Sequence, residues 1–208
     1  MTKFLTVHPD NPQVRLLQQA ARIIADGGVA AIPTDSCYAL ACHLDDKPAV
    51  DRLRRLRAID ERHHLSLLCR DLSEISSYAR VDNAAYRLLR LATPGPYTFI
   101  LEATREVPRR LSHPSRKTIG IRVPDHPAAL QLLRELGQPL IGTTLQLPGD
   151  ELPLNDAAEI RDRLGNELDL VLDAGTCGVE PTTVIDLSAG AAVVLRVGRG
   201  PLGPLGLA

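Results

Sequence analysis

Tyr97-Thr98-Phe99-Ile100-Leu101-Glu102-Ala103 and, after a basic loop, Thr118-Ile119-Gly120-Ile121-Arg122-Val123 are the two runs whose reading decides the fold class. The first is rich in aromatic and β-branched residues, which favour a pleated, half-buried strand. The breaker Pro94-Gly95-Pro96 precedes it, so the strand starts cleanly at Tyr97. The second run returns as a strand. Working outward, helical and extended patterns alternate upstream. Asp10-Asn11-Pro12 reads as a helix start, followed at helical spacing by Val14, Leu17, Ala21 and Ile24 and closed by Gly27-Gly28. A short strand at 29–32 runs into the polar loop Pro33-Thr34-Asp35-Ser36. Asp46 and Pro48 open a helix carrying Val50, Leu53 and Leu56, a strand follows at 65–69, and helices are expected at 71–79 and 82–92. Downstream, helices at 128–136 and 156–164 interleave with strands at 140–143, 168–172, 183–187 and 192–197. The tail from 198 to 208 is rich in glycine and proline and is expected to fray or pack irregularly.

Alternation early and crowded strands late predict an α/β protein with a mixed open sheet flanked by helices, not a purely doubly wound one. No repeat, linker or composition break divides the chain, so residues 1–208 are expected to form a single domain. At 208 residues, 44% apolar and 24% charged, it has the length and make-up for one large hydrophobic core. The net charge of -1 leaves no global field for polyanions, so phosphate binding needs a local cluster of cations. Of 24 basic residues only Lys3, Lys47 and Lys117 are lysine, and the remaining guanidinium forks suit carboxylates and phosphates. Cys37, Cys42, Cys69 and Cys177 lack a C-x-x-C pair, which points to reduced thiols and neither a disulfide framework nor a zinc site. Neither a signal-type apolar segment at Met1 to Asp10 nor a run near the ~20 residues of a membrane span is present, and a cytoplasmic protein without membrane association is expected.

Several chemistries are excluded at the motif level. The chain has no G-x-x-x-x-G-K-S/T phosphate loop, no G-x-G-x-x-G and no G-x-S-x-G elbow. Its six aromatic residues form no stacking platform for single-stranded bases. His63 and His64 are adjacent; on a strand they would face opposite sides and could not share a metal, and they read as surface residues. Arg52, Arg54, Arg55 and Arg57 flank both sides of the Leu53/Leu56 stripe, so most are expected in solvent and only Arg57, at the helix end, is a site candidate. The loop between the two opening strands carries Arg105, Arg109, Arg110, Arg116 and Lys117 against Glu106, which suits a clamp on phosphates.

In colinear order, PTDSCYAL (33–40), CRDLSEISSYA (69–79), TPGPYTFILEATREVPRRL (93–111), RKTIGIRVPDHP (116–127), LPGDELP (147–153) and PTTVIDL (181–187) resemble the YrdC superfamily, most closely its YciO branch. The resemblance implies a YrdC-like twisted mixed open sheet flanked by helices, with an electropositive cavity on one side. It also implies a nucleotidyltransferase activity of the family's catalytic members: threonylcarbamoyl-adenylate made from L-threonine, bicarbonate and ATP, with pyrophosphate released, for threonylcarbamoyladenosine in tRNA. ATP would come with Mg2+ as substrate, with no tightly bound cofactor and no resident metal; Asp35 is the only acidic candidate near the motif positions, and a structural role suits it better. By the resemblance, Thr34, Arg122, Thr144 and Thr182 fall at substrate-binding positions. Arg57, Thr118, Gly142, Gln146 and Arg196 fall at nucleotide or phosphate positions.

Two departures stand out. Arg57 and Ile59 occupy the family's K-x-R positions, and Thr144 and Gln146 its S-x-N positions. Losing one charge-assisted phosphate contact costs about 1.5–3 kcal/mol. The synthases' substrate-binding histidine is matched by Leu68 or Cys69. Three readings follow: an adenylate-forming enzyme or a weaker relative using the same adenylate, a double-stranded RNA or tRNA-binding module built on the basic loop, and a scaffold that acts through a protein partner. The first is favoured because Thr34, Arg57, Thr118, Arg122, Thr182 and Arg196 fall at motif positions, and the second ranks behind it because the net charge of -1 is not that of a non-specific RNA binder. Nothing in the sequence selects an oligomeric state.

Overall fold

The computed structural model describes residues 2–207. Its elements run β1 (Lys3–Thr6), α1 (Val14–Ala25), β2 (Ala30–Ile32), β3 (Ala39–His43), α2 (Lys47–Arg57), β4 (Ser66–Leu68), α3 (Leu72–Tyr78), α4 (Asn83–Ala92), β5 (Tyr97–Glu102), β6 (Thr118–Arg122), α5 (Pro127–Leu136), β7 (Leu140–Thr144), α6 (Ala157–Leu164), β8 (Leu170–Asp173), β9 (Thr183–Asp186) and β10 (Val193–Arg196). The strands form one ten-stranded mixed sheet in the order β1-β8-β2-β3-β7-β4-β6-β5-β9-β10. The fold is the expected mixed α/β open sheet flanked by helices, and β5 and β6 pair antiparallel near its middle, with Phe99 opposite Ile121.

Four helices start by one device. Asp46, Asp71, Asp82 and Asp156 accept the backbone N–H three residues on, at 2.8–2.9 Å. Each satisfies an orphan donor of the first turn and contributes about 1 kcal/mol. The first helix begins later than Asp10-Asn11-Pro12 suggests. The His8 Nδ1 accepts N–H groups from Asp10 and Asn11, holding them in a turn, and α1 starts after Gln13. Two strands lack a sequence signal of their own: β1 is short, and β3 (Ala-Leu-Ala-Cys-His) is buried on both faces and so shows no alternation.

Strand alternation gives the sheet two different faces. Leu67, Phe99, Leu101, Ile119, Ile121 and Ile141 point to one side, joined in a core with residues of α2, α3, α4 and α6. On the other side, Ala30, Ile32, Ala39, Ala41, Leu170 and Leu172 pack beneath α1 and α5. Those two helices cover only the β1-to-β7 half of that side. Across the other half the same alternation presents Ser66, Thr98, Arg122, Thr144 and Val184 to a cavity.

The tail does not fray. Thr183 Oγ1 donates to the Gly200 carbonyl at 2.6 Å, and Tyr97 Oη donates to the Pro201 carbonyl at 2.8 Å. A 3-10 turn at Gly203–Leu205 then buries Leu205. Gly200 lies against the Tyr97 ring so closely that a Cβ there would sit 2.4 Å from a ring carbon, whereas one on Gly203 would meet nothing within 4 Å. Gly200→Ala is therefore expected to destabilise the protein by about 1–3 kcal/mol in urea unfolding, the range for overpacking, while Gly203→Ala is expected to be near neutral.

Candidate functional site

The uncovered half of the sheet floors a cavity of about 410 Å³. Its lining includes Arg57, Arg62, Arg122 and Arg196, together with His63 and His64, and among the described residues no aspartate or glutamate. Hydroxyls of Ser66, Thr98, Thr144 and Thr182 complete a polar surface on which Leu68, Ile100 and Val184 are apolar spots. Gly142 lies in register with Ala41 on one side and Ser66 on the other, so bare backbone forms part of the floor.

Arg122, at the end of β6, is almost wholly buried and pairs through Nη2 with Asp35 Oδ1. Burial pulls the guanidinium pKa down, and the Asp35 charge opposes that fall. Arg122 Nε and Asp35 Oδ2 are buried without a hydrogen-bond partner, leaving donor and acceptor capacity beside the cavity.

The polar turn after β2 is held by Thr34. Its Oγ1 donates to the Cys37 carbonyl at 2.5 Å and accepts the N–H groups of Ser36 and Cys37 at 3.2 and 3.3 Å. Thr34 is therefore not at the cavity surface: its hydroxyl organises the turn that delivers Ser36 and Cys37 to the wall. Thr118 is likewise one step back, its Oγ1 3.2 Å from His64 Nε2. Thr182 is tied to Thr98 at 2.8 Å, and its carbonyl accepts from Arg196 Nε and Nη2 at 3.0 and 2.9 Å. Thr144 reaches the cavity from the end of β7, and Gln146 beside it donates to the Asp150 and Glu151 carbonyls at 2.9 and 3.2 Å. Leu68 lines the cavity, and Ile59 packs on the hydrophobic core.

Several expectations are corrected. His63 and His64 lie in the loop before β4; His63 is exposed, as expected of a surface residue, His64 is half-buried, and both line the cavity. The turn after α2 carries them there, and adjacent residues in a turn are not bound to opposite faces. Arg62, unmarked by the sequence reading, accompanies them. Burial lowers the pKa of both histidines; the neighbouring Arg57, Arg54 and Arg196 charges lower His63 further against the opposing Asp60, and His113, Arg116 and His63 lower His64 further against Asp186.

The basic loop, by contrast, does not enter the cavity. Arg105, Arg109, Arg110, Arg116 and Lys117 are all exposed and none lines it, because the loop leaves β5 at the far end from the Arg122 terminus of β6. Arg110 Nη2 is occupied by the Leu44 carbonyl at 3.0 Å, and the Arg110 carbonyl accepts from Arg54 at 3.2 Å. The loop reaches the site through His113, stacked on His64 with ring centroids 5.0 Å apart. Of the helix arginines, most of which were expected in solvent, only Arg55 is exposed, and Arg52, Arg54 and Arg57 are half-buried. Arg52 pairs with Asp169 and Arg54 tethers this loop.

The family model for Sua5/YciO/YrdC, described as telomere recombination, matches residues 22–198. The chain belongs to this family. It is 52% identical over 204 residues to the YciO protein of Escherichia coli strain K12, covering 98% of this chain and 99% of that one. The crystal structure of E. coli YciO matches it with a TM-score of 0.95 at 51% identity, over 99% of this chain and 100% of that one. A threonylcarbamoyl-AMP synthase of Chromobacterium violaceum is 36% identical over 185 residues, 88% of this chain and 94% of the synthase. The crystal structure of P. abyssi Sua5 complexed with L-threonine matches at 25% identity with a TM-score of 0.89, over 97% of this chain and 59% of that longer one. Sua5/YciO/YrdC membership explains why the quoted segments converge: the 33–40, 116–127 and 181–187 stretches of the chain all meet at this cavity.

Two outcomes follow from the geometry. Asp35→Ala strands Arg122 as an unpaired buried cation, and a loss of about 3–5 kcal/mol is expected in urea unfolding. Asp35→Ala with Arg122→Met is expected to recover part of it. The pH dependence also has a definite sign. The folded histidines resist protons that the unfolded chain binds near its ordinary value of 6.5, so stability is expected to fall as pH drops below that value. His64→Gln should flatten that acid limb in denaturation midpoints measured between about pH 7.5 and pH 5.5.

Proposed function

We propose that the cavity binds ATP, as its magnesium complex, beside L-threonine and bicarbonate, and catalyses formation of threonylcarbamoyl-adenylate for tRNA modification. The observation that carries this reading is a cavity with four arginines, a hydroxyl-rich floor and no lining carboxylate, within a net charge of only -1. It is supported by the chain's identity to threonylcarbamoyl-AMP synthases.

The chemistry asks for positioning and charge neutralisation. The amine of threonine and bicarbonate condense to a carbamate with loss of water. A carbamate oxygen then attacks the α-phosphorus of ATP, a new P–O bond forms, the bond from that phosphorus to the bridging oxygen breaks, and pyrophosphate leaves. Arg122, oriented by Asp35, would receive the threonine carboxylate or the carbamate. Thr144 and Thr182 would fix the small substrate through their hydroxyls. Arg57, Arg196, Gly142 and Gln146 would face the nucleotide, its phosphates neutralised by the guanidinium groups. Thr34 and Thr118 would act through the turn and the histidine they hold. Magnesium would arrive on the phosphates, since no lining carboxylate awaits it. The enzyme would work as one domain in the cytoplasm, without a tightly bound cofactor.

Mass spectrometry of the protein incubated with ATP, magnesium, bicarbonate and L-threonine is expected to show threonylcarbamoyl-adenylate and pyrophosphate, both lost when threonine is omitted. Thr144→Val, which removes a hydroxyl with no protein partner, is expected to lower kcat/KM by roughly tenfold to a hundredfold, with little change in Tm. Wild-type protein that yields neither product overturns the synthase reading. A second reading, tRNA or double-stranded RNA held on the exposed Arg105, Arg109, Arg116 and Lys117, would then be favoured if affinity falls linearly against salt on logarithmic axes.

A further inference from the structure

The four cavity arginines are not in the same state. Arg122 is neutralised by Asp35, and Arg196 donates to the Thr182 carbonyl through two nitrogens. The side chains of Arg57 and Arg62 have no acceptor within hydrogen-bond or ion-pair reach among the described residues. Arg57 Nε is buried without one. A half-buried guanidinium without an acceptor is costly, and burial accordingly lowers the Arg57 pKa.

The backbone between them is fixed. Helix α2 ends at Arg57, and Ala58 turns left-handed with φ 50, its N–H closing on the last turn. Ile59 then packs on the core. Asp60 Oδ1 accepts the backbone N–H groups of Arg62 and His63 at 2.9 and 3.2 Å. Asp60 thus holds the loop's backbone, and among the described residues neither it nor the adjacent Glu61 forms an ion pair with the Arg62 guanidinium. Two cations therefore approach the same cavity from the two ends of a pinned turn, with His63 beside them and no lining anion.

A single negative charge would leave such a pair half satisfied, whereas two adjacent phosphate groups would match both forks. We propose that Arg62, together with Arg57, clamps the terminal phosphates of a nucleoside triphosphate, and free pyrophosphate, and so makes the cavity prefer a polyphosphate over a monophosphate. This rests on the nucleotide reading above and adds a residue and a specificity to it.

The test is isothermal titration of wild-type protein and Arg62→Ala with two probes, AMP and inorganic pyrophosphate. Arg62 is exposed and its side chain holds no other part of the protein, so the variant is expected to keep the wild-type Tm. Pyrophosphate affinity is expected to fall about tenfold to a hundredfold, as for a lost charge-assisted contact, while AMP affinity stays within about twofold. Arg62→Lys, which keeps the charge and loses the planar fork, is expected to fall between the two. Wild-type affinity for pyrophosphate in Arg62→Ala, or an equal loss for AMP, overturns the assignment while leaving the nucleotide reading in place. Wild-type protein that binds neither probe overturns both.

Discussion

A strand sends successive side chains to opposite faces, and this constraint organises the molecule. The ten strands share one alternation, so a single apolar face builds the large core against α2, α3, α4 and α6. The opposite face is packed apolar where α1 and α5 cover it. Beyond their reach the same positions carry serine, threonine, glycine and arginine with Ile100 and Val184 among them, and the sheet becomes the floor of a cavity. Thr98, Arg122 and Thr144 are therefore held on strands whose other faces are packed in the core, while Arg57 and Arg62 reach the cavity from the end of α2 and the turn after it. Ile119 and Ile121 face inward because they are hydrophobic, and Arg122 faces the cavity because it is their neighbour.

Charge is arranged by the same economy of position. A chain with 24 basic and 25 acidic residues has no excess to attract an anion. The local field arises because acids are placed elsewhere: Asp46, Asp71, Asp82 and Asp156 cap helices, Asp60 caps a turn, and Asp169 holds Arg52 and the Val29 N–H. Asp35, beside the cavity, is turned to Arg122. Low-dielectric walls strengthen what remains, four guanidiniums and two histidines whose pKa burial lowers.

Family membership and local geometry together shape the functional reading. Ile59 joins the core instead of the cavity, and Gln146 is turned to the carbonyls of the 150–151 loop. Arg62 stands in the cavity after the turn that Ile59 anchors, so cationic character is retained on that wall by a residue from a different place in the chain.

Read alone, the sequence determined the elements whose causes are local. Asp46 and Pro48 marked the start of α2, helical runs marked α3, α4, α5 and α6, and β-favouring residues marked β5 and β6, because capping and strand preference act within a few residues. The colinear motifs also pointed to Arg57, Arg122, Thr144, Thr182 and Arg196, which the fold brings to one cavity. What only the tertiary structure decided depends on contacts between residues far apart in the chain. The basic loop looked like a phosphate clamp but points away, since sheet direction and not charge sets where a loop emerges. Thr34 and Thr118 act from behind the cavity surface, and the tail is packed by Tyr97 and Thr183. Arg62, His63 and His64 carried no periodic signal, because a left-handed residue and an aspartate-capped turn, not helix or strand geometry, aim them at the site.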